Sequence, residues 1–288
     1  MIPSEFQYFL PRTVDEAVGL LQQHGDEAKL IAGGHSLLPA MKLRLSQPTV
    51  LIDLRKIGEL QGISVDGSVT IGAGTTYRAI AESAEVRAAC GVLAECVGQI
   101  GDTQVRNRGT IGGSLAHADP AADLPALALA LGATVKVRGP GGARAIHADD
   151  MFVEMLTTAL ASDELITEVT FPKLGAGEGA AYAKLRHPAS RYAIVGVAAY
   201  VKLGGDGKVA AARVAVTGAG PKAERQPAAE TALVGSDGSA AAIDAAAAQS
   251  GESMDYLGDI HASDEYRRAM VKVYTKRALD RAIGRARG

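Results

Sequence analysis

The first fifty residues alternate between short apolar runs and amphipathic stretches. Val14, Ala17, Val18 and Leu21 recur at helical spacing behind Thr13-Val-Asp-Glu16, which has the form of a capping box, and Gly25 follows as a stop. Leu30, Ile31 and Ala32 form a short apolar run that predicts a buried strand. Gly33 and Gly34 interrupt it. Ser36 then stands where an N-cap would, and Leu37 to Leu45 have helix-compatible spacing. Val50 to Leu54 predicts a second strand, so strand, crossover helix and strand make a small parallel βαβ unit.

Beyond Gly62 the texture changes. Ile63 to Val65 and Val69 to Ile71, joined by Asp66-Gly67, predict a hairpin. Thr75-Thr76 caps a helix to about Ser83, and a further helix is expected over roughly Glu85 to Ile100. Gly101 to Ser114 reads as a loop rich in glycine and charge. Asp123 is placed to cap a helix from Leu124 to Leu131. Strands are expected at Thr134 to Arg138 and Leu165 to Phe171, with a turn at Gly139-Pro-Gly-Gly142 between them. Glycine and proline cluster at Pro172 to Gly179, which marks a domain boundary. After it, Ala180 to Leu185, Ala193 to Leu203 and Val209 to Thr217 predict three strands, and the remainder is helical, ending in an amphipathic helix over Tyr266 to Arg285.

Composition narrows the function classes. The chain has 288 residues, 47% of them hydrophobic, enough for a substantial core. A net charge of −2 gives no bulk attraction to nucleic acid or an anionic membrane. No apolar run is long enough for a membrane-spanning helix, and the N-terminus lacks the form of a secretory signal. The two cysteines, Cys90 and Cys96, would point to different faces of a helix and are too few for an iron–sulfur cluster or a structural zinc. They read as buried thiols in a reducing compartment, which fits a cytoplasmic protein.

The candidate chemistry lies in two glycine pairs. In Ala32-Gly-Gly-His-Ser-Leu37 the backbone can take positive φ and let another molecule approach closely, so that several N–H groups converge on one point. An anion, above all a pyrophosphate, suits such a point. Thr110-Ile-Gly-Gly-Ser114 repeats the pattern about 75 residues later, with hydroxyl donors on either side. His35 and His117 sit beside the two turns as potential donors, and Asp119 and Asp123 supply acceptors suited to sugar hydroxyls or a helix cap. Gly72-Ala-Gly74 lacks the third glycine of a dinucleotide fingerprint, and there is neither a P-loop nor an H-E-x-x-H motif.

Taken together, Ala32-Gly-Gly-His-Ser36 and Gln104-Val-Arg-Asn-Arg-Gly-Thr-Ile-Gly-Gly-Ser114 resemble the FAD-binding medium subunit of molybdenum hydroxylases, the group of carbon monoxide and xanthine dehydrogenases. The opening Phe6-x-Tyr-x-x-Pro11, Asp15-Glu16-Ala17, Leu51-Ile-Asp-Leu54 and Asp119-Pro-Ala-Ala-Asp-Leu-Pro125 extend the resemblance along the chain. It implies an α+β fold. A two-subdomain FAD-binding domain of the vanillyl-alcohol-oxidase or PCMH type would occupy residues 1–175, divided near 58. It would combine the small parallel βαβ unit with a mixed antiparallel sheet and helices. Residues 176–288 would form a C-terminal domain of the carbon monoxide dehydrogenase flavoprotein type, a three-stranded antiparallel sheet with a helical bundle.

The same resemblance implies FAD as cofactor. Ala32, Gly33, Gly34, His35, Ser36 and Leu37 would wrap the pyrophosphate. Thr110, Gly113 and Ser114 would close its other side, with His117 nearby. Asp123 would accept from the sugar-alcohol chain, Ile166 would touch the adenine end, and Lys184 and Tyr192 would lie near the flavin ring. The molybdenum cofactor and [2Fe-2S] clusters would belong to a large and a small partner subunit, in a dimer of heterotrimers. The implied role is electron transfer from those clusters through FAD to an external acceptor. A self-sufficient FAD-dependent oxidase of the same fold and a nucleotide-binding non-catalytic subunit are the alternatives. Gly101-Asp-Thr-Gln104 and Arg106-Asn-Arg108 look closer to the aldehyde and purine branch, which argues against carbon monoxide as substrate.

Overall fold

The computed structural model describes residues 2–288. Its first unit is the expected parallel one. Strands β1 (Gln7–Phe9), β2 (Ala28–Ile31) and β3 (Val50–Asp53) form a sheet in the order β1-β3-β2, all parallel, with helix α1 (Val14–His24) and the short α2 (Leu37–Lys42) as crossovers. Val14, Ala17, Val18 and Leu21 bury the inner face of α1 against Val50 and Ile52, and the Thr13 hydroxyl accepts from Glu16 N. Helix α2 ends three residues before Leu45, and Ser36 makes no side-chain cap at its start.

The second unit is an antiparallel sheet wrapped by helices. Strands β4 (Ile63–Asp66) and β5 (Ser68–Gly72) form the expected hairpin. Helices α3 (Tyr77–Glu82), α4 (Ala84–Gly98), α5 (Thr103–Arg108), α6 (Ile111–His117) and α7 (Asp123–Leu131) follow, then β6 (Thr134–Gly139), β7 (Gly142–His147), the single turn α8 (Ala148–Met151), the small ribbon β8 (Phe152–Glu154) and β9 (Thr157–Thr158), and β10 (Leu165–Pro172). The sheet order is β4-β5-β10-β6-β7. Three expectations change here. The segment 101–114 is not a loop but two short helices, started by the Asp102 and Thr110 side chains. A strand, β7, returns from the Gly139–Gly142 turn; its alternation is hidden because only Ile146 of that strand is buried. Helix α4 is broken at Cys90, whose backbone is non-helical, although both thiols are buried as expected.

The third unit is the antiparallel sheet β11 (Glu178–Arg186), β12 (Ala193–Leu203), β13 (Val209–Thr217) and the two-residue β14 (Glu224–Arg225), in that order. The fourth strand adds to the three expected. Helices α9 (Pro227–Leu233), α10 (Ala240–Gln249) and α11 (Asp264–Arg287) cover one face. Helix α11 lies so close to β11 that a Cβ on Gly179 would stand 2.0 Å from the carbonyl oxygen of Ala282. The other face packs on α7, whose residues are buried on every side; that explains why α7 is apolar all round rather than amphipathic. The α+β class and the antiparallel C-terminal sheet with helices agree with expectation.

The sheet also grips the second unit. The buried Thr217 hydroxyl lies 2.8 Å from the carbonyl oxygens of both Pro120 and Ala122. Gly218 N donates to Pro120 O at 2.7 Å and Ala193 N to Ala121 O at 3.2 Å. Arg285 of α11 adds a paired contact to the Glu95 carboxylate of α4, both at 2.8 Å.

Candidate functional site

The two glycine turns meet. A Cβ on Gly33 would fall 2.2 Å from the carbonyl oxygen of Arg108 and 2.9 Å from the Cα of Gly109, so the first turn lies directly on the residues that enter the second. Only glycine permits that approach. The second turn is fixed in its own right. Tyr77 N donates to Gly109 O, Ile111 N to Thr75 O and Gly112 N to Ala73 O, at 2.9–3.1 Å.

The two turns differ in what they leave free. In the second, Gly113 N is satisfied by the Thr110 hydroxyl at 3.1 Å and Ser114 N by Thr110 O at 3.0 Å. With Ile111 and Gly112 also bonded, the first turn of α6 has no spare N–H, which corrects the expectation of two equivalent nests. The exposed Gly113 and the half-exposed Ser114 present a surface without side-chain bulk instead. In the first turn, the backbone N–H groups of Gly33, Gly34, His35, Ser36 and Leu37 donate to nothing among the described residues. Gly34 takes φ +74° within this run of five free amides, the left-handed value found in anion-binding turns. His35 Nδ1 sits 3.1 Å from Gly33 O and braces the curve. Ser36 fails to cap α2 because its backbone is already helical; its side chain faces Tyr192 instead.

Two tyrosines frame the turns. Tyr77, at the start of α3, is buried under Gly109, where a Cβ would meet its ring at 2.4 Å. Burial pushes its hydroxyl up to about 12, partly offset by the Ser114 side chain beside it. Tyr192 arrives from the third unit and stays 44% exposed. Burial of its hydroxyl end raises its pKa, Asp119 adds to the rise, and Ser36 opposes it. His117 stands 3.9 Å from Asp119 at the C-terminal end of α6.

Asp123 behaves differently from either expectation. It is the first residue of α7, not its cap, and caps nothing. Its carboxylate is buried, with Lys184 Nζ at 2.8 Å on one oxygen and the Tyr182 hydroxyl hydrogen-bonded to the other. Lys184 and Tyr182 lie two apart on β11 and so share a face. Burial pushes the Asp123 carboxyl up, and the Lys184 ammonium pulls it back down. The Lys184 side chain is only 1% exposed, and that of Asp123 4%. Each Asp123 oxygen thus already has one donor within the protein, and the pair is closed off from solvent. Ile166 is likewise committed to the core of the second unit.

The structure therefore brings Ala32 to Leu37, Thr110 to Ser114 and Tyr192 to one place, puts His117 at its edge, and sets Asp123 and Lys184 beneath it as a closed pair. Sequence reasoning missed Tyr77 and Tyr182. Tyr182 carried a signal, since a residue two before Lys184 on a strand must face the same way. Among the described residues no group of three or more His, Cys, Asp or Glu is placed to hold a metal ion, and no helix is long and apolar enough to cross a membrane.

Five successive amides with no partner, at a turn of paired glycines, are what the two phosphates of a dinucleotide would need. Residues 4–174 match the FAD binding domain in molybdopterin dehydrogenase, and residues 180–282 match the CO dehydrogenase flavoprotein C-terminal domain. The carbon monoxide dehydrogenase medium chain of Hydrogenophaga pseudoflava is 41% identical over 286 residues, covering 99% of both chains. The 6-hydroxypseudooxynicotine dehydrogenase complex subunit alpha of Paenarthrobacter nicotinovorans is 38% identical, covering 100% of this chain and 97% of that one. A solved structure of Hydrogenophaga pseudoflava carbon monoxide dehydrogenase superposes with a TM-score of 0.96 over 99% of each chain. The chain belongs to the FAD-binding medium-chain family of the molybdopterin dehydrogenases, whose members are subunits of oxidoreductases.

Proposed function

We propose that this chain is the electron-transfer subunit of a heterotrimeric molybdenum hydroxylase, receiving electrons from iron–sulfur clusters in a small partner subunit and passing them through FAD to an external acceptor. A large partner subunit would hold the molybdenum cofactor and oxidise the substrate, and the assembly would be a dimer of such heterotrimers. The observation that carries this reading is the run of unpartnered amides at Gly33–Leu37, pressed against Arg108 and Gly109. With only two cysteines, both buried, the chain has no means of its own to hold a cluster.

FAD supplies the redox chemistry when bound. The protein's share is to bind, orient and exclude. The Gly33–Leu37 amides would hold the pyrophosphate, with Ala32 at the entry. Gly113 and Ser114 would close the far side, and Thr110 keeps that turn in shape through Gly113 N. His35 and His117 would serve as edge donors. Tyr192, partly exposed above both turns, would lie beside the ring. The Asp123–Lys184 pair would act from below, as a neutral support that fixes the start of α7 and the Asp119–Ala122 stretch. Ile166 would contribute through its strand rather than its side chain. The substrate is left to the partner that oxidises it.

The test is co-purification. The native complex should yield two further subunits, one with molybdenum and one with iron and acid-labile sulfur, and this chain should carry the flavin absorbance. A chain that turns over small organic substrates alone would refute the subunit role. A chain that binds no FAD even within its complex would refute the cofactor site.

A further inference from the structure

Six residues between β11 and β12 form a closed turn built around one imidazole. His187 N donates to Tyr192 O at 2.8 Å, and Arg191 N donates back to His187 O at 2.9 Å. His187 Nδ1 receives the backbone N–H groups of Ala189 at 3.2 Å and Ser190 at 3.1 Å. The Ser190 hydroxyl lies 3.2 Å from the same nitrogen and accepts from Tyr192 N at 3.3 Å. Arg191 closes the turn with φ +60°, a strained value for a residue with a side chain.

Two N–H donors pointing at Nδ1 require it to be the lone-pair nitrogen, so the ring proton sits on Nε2. That nitrogen is 3.2 Å from Nδ1 of His261, in the loop before α11, and the two rings meet edge-on with centroids 4.3 Å apart. His261 must therefore accept. Its loop is a firm post. Asp259 takes the N–H groups of His261 and Ala262, and its other oxygen holds the buried Arg267 at 2.6 Å, which in turn donates to Ile194 O of β12.

We propose that His187, pinned by His261, is the positioning residue that holds Tyr192 over the glycine turns, and that it does so only while both imidazoles are neutral. A proton on His187 would set Nδ1–H against two backbone donors. A proton on His261 would set N–H against N–H. Either breaks the join and frees the turn. The charges around the pair do not replace it. Arg186 and Arg191 neighbour His187 in sequence, but the Arg191 guanidinium reaches away to donate to Gly101 O at 3.3 Å. Asp259 faces His261 but is already matched by Arg267. Asp119 faces Tyr192 rather than the imidazoles. The same tautomer argues against a metal bridge, since the Nε2 lone pair a metal would need carries the proton. The functional consequence rests on Tyr192 lying at the FAD site.

The chain contains no tryptophan, so Tyr192→Trp in the full chain gives a single emission reporter at this position. Acrylamide quenching of that reporter should be low at about pH 8 and rise several-fold by about pH 5, the range over which imidazole changes charge. In the Tyr192→Trp/His261→Leu chain the reporter should quench freely at both pH values. Equal quenching of the parent at both pH values would overturn the proposal, as would a pH response that survives His261→Leu. Hydrogen exchange in the unmodified chain provides a check that needs no substitution. Peptides spanning 187–192 should lose protection on acidification, after correction for the intrinsic rate, and unchanged protection overturns the proposal. Adding FAD to the native complex separates the two readings: a chain with the pH response but no FAD binding even within its complex refutes the flavin site and leaves the positioning role standing.

Discussion

Replacing Gly33 by alanine tests the central contact. The added Cβ would lie 2.2 Å from Arg108 O, 2.8 Å from Arg108 C and 2.9 Å from Gly109 Cα. All three are backbone atoms, so no side chain can rotate aside. Nor can the backbone drift freely, since Gly109 N is bonded to Val105 O at 2.7 Å and Gly109 O to Tyr77 N at 3.0 Å. An ordinary contact begins near 3.4 Å, so the turns must part by more than an ångström. Overpacking of this kind costs about 1–3 kcal/mol, and rigid neighbours put this case toward the upper end. If the turns grip FAD together, that strain appears in its binding as about a tenfold to hundredfold loss of affinity, at about 1.4 kcal/mol per decade. Flavin fluorescence titration reads the affinity and a thermal melt reads the fold. Gly19→Ala is the control: a Cβ there meets nothing within 4 Å and sits on exposed α1, so it should raise stability by about 0.5–1 kcal/mol and leave FAD binding alone. A Gly33→Ala protein that binds FAD as tightly as its parent and melts at the same temperature would refute the claim that the two turns form one site.

Other expected outcomes concern the supports. Asp123→Asn strands the buried Lys184 ammonium and should destabilise by about 3–5 kcal/mol in urea unfolding, whereas Asp123→Asn with Lys184→Met should recover most of the loss. Glu164 is held below the usual glutamate range by the two-pronged Arg144 contact at 2.7 Å, despite an opposing push from burial. A depressed carboxyl stabilises above its unfolded value of about 4.3 and loses that stability as pH falls through its folded value. Stability should thus fall below about pH 4, and Glu164→Gln should flatten that limb of the stability–pH curve. Gly179→Ala would press a Cβ to 2.0 Å from Ala282 O and 2.6 Å from Ala286 N; lifting α11 from β11 should cost about 3 kcal/mol and lower the melting temperature without changing the visible spectrum of bound flavin.

The parts of this fold with local chemistry were readable in the sequence. The Thr13–Glu16 box, the Asp66-Gly67 turn and the apolar runs of β2 and β3 each specify their element without help from afar. The paired glycines were legible as a cradle because two of them, far apart, share a flanking pattern. What escaped depends on neighbours. Helices α5 and α6 are only six and seven residues long and hide among glycines and arginines, so their stability comes from docking, α5 on α3 and α6 on Ala73–Thr75, rather than from periodicity. Strand β7 is exposed on both faces for most of its length. Asp123 read as a cap because a sequence cannot show that Tyr182 and Lys184 arrive on the same side about 60 residues later and claim its carboxylate. The equality of the two glycine turns failed for the same reason, since Ala73 and Thr75 take the amides of the second.

The hold of Thr217, Gly218 and Ala193 on Pro120–Ala122 has a consequence for how such a chain can be divided. The seam in the covalent chain near residue 175 is not where the molecule comes apart mechanically. A fragment cut there would retain both glycine turns yet release the stretch between His117 and Asp123 from its moorings. Grafting the C-terminal half of a relative onto this N-terminal half would then transplant part of the pocket wall together with the graft, so chimeras of these proteins should be judged by whether residues 119–123 still find their clamp.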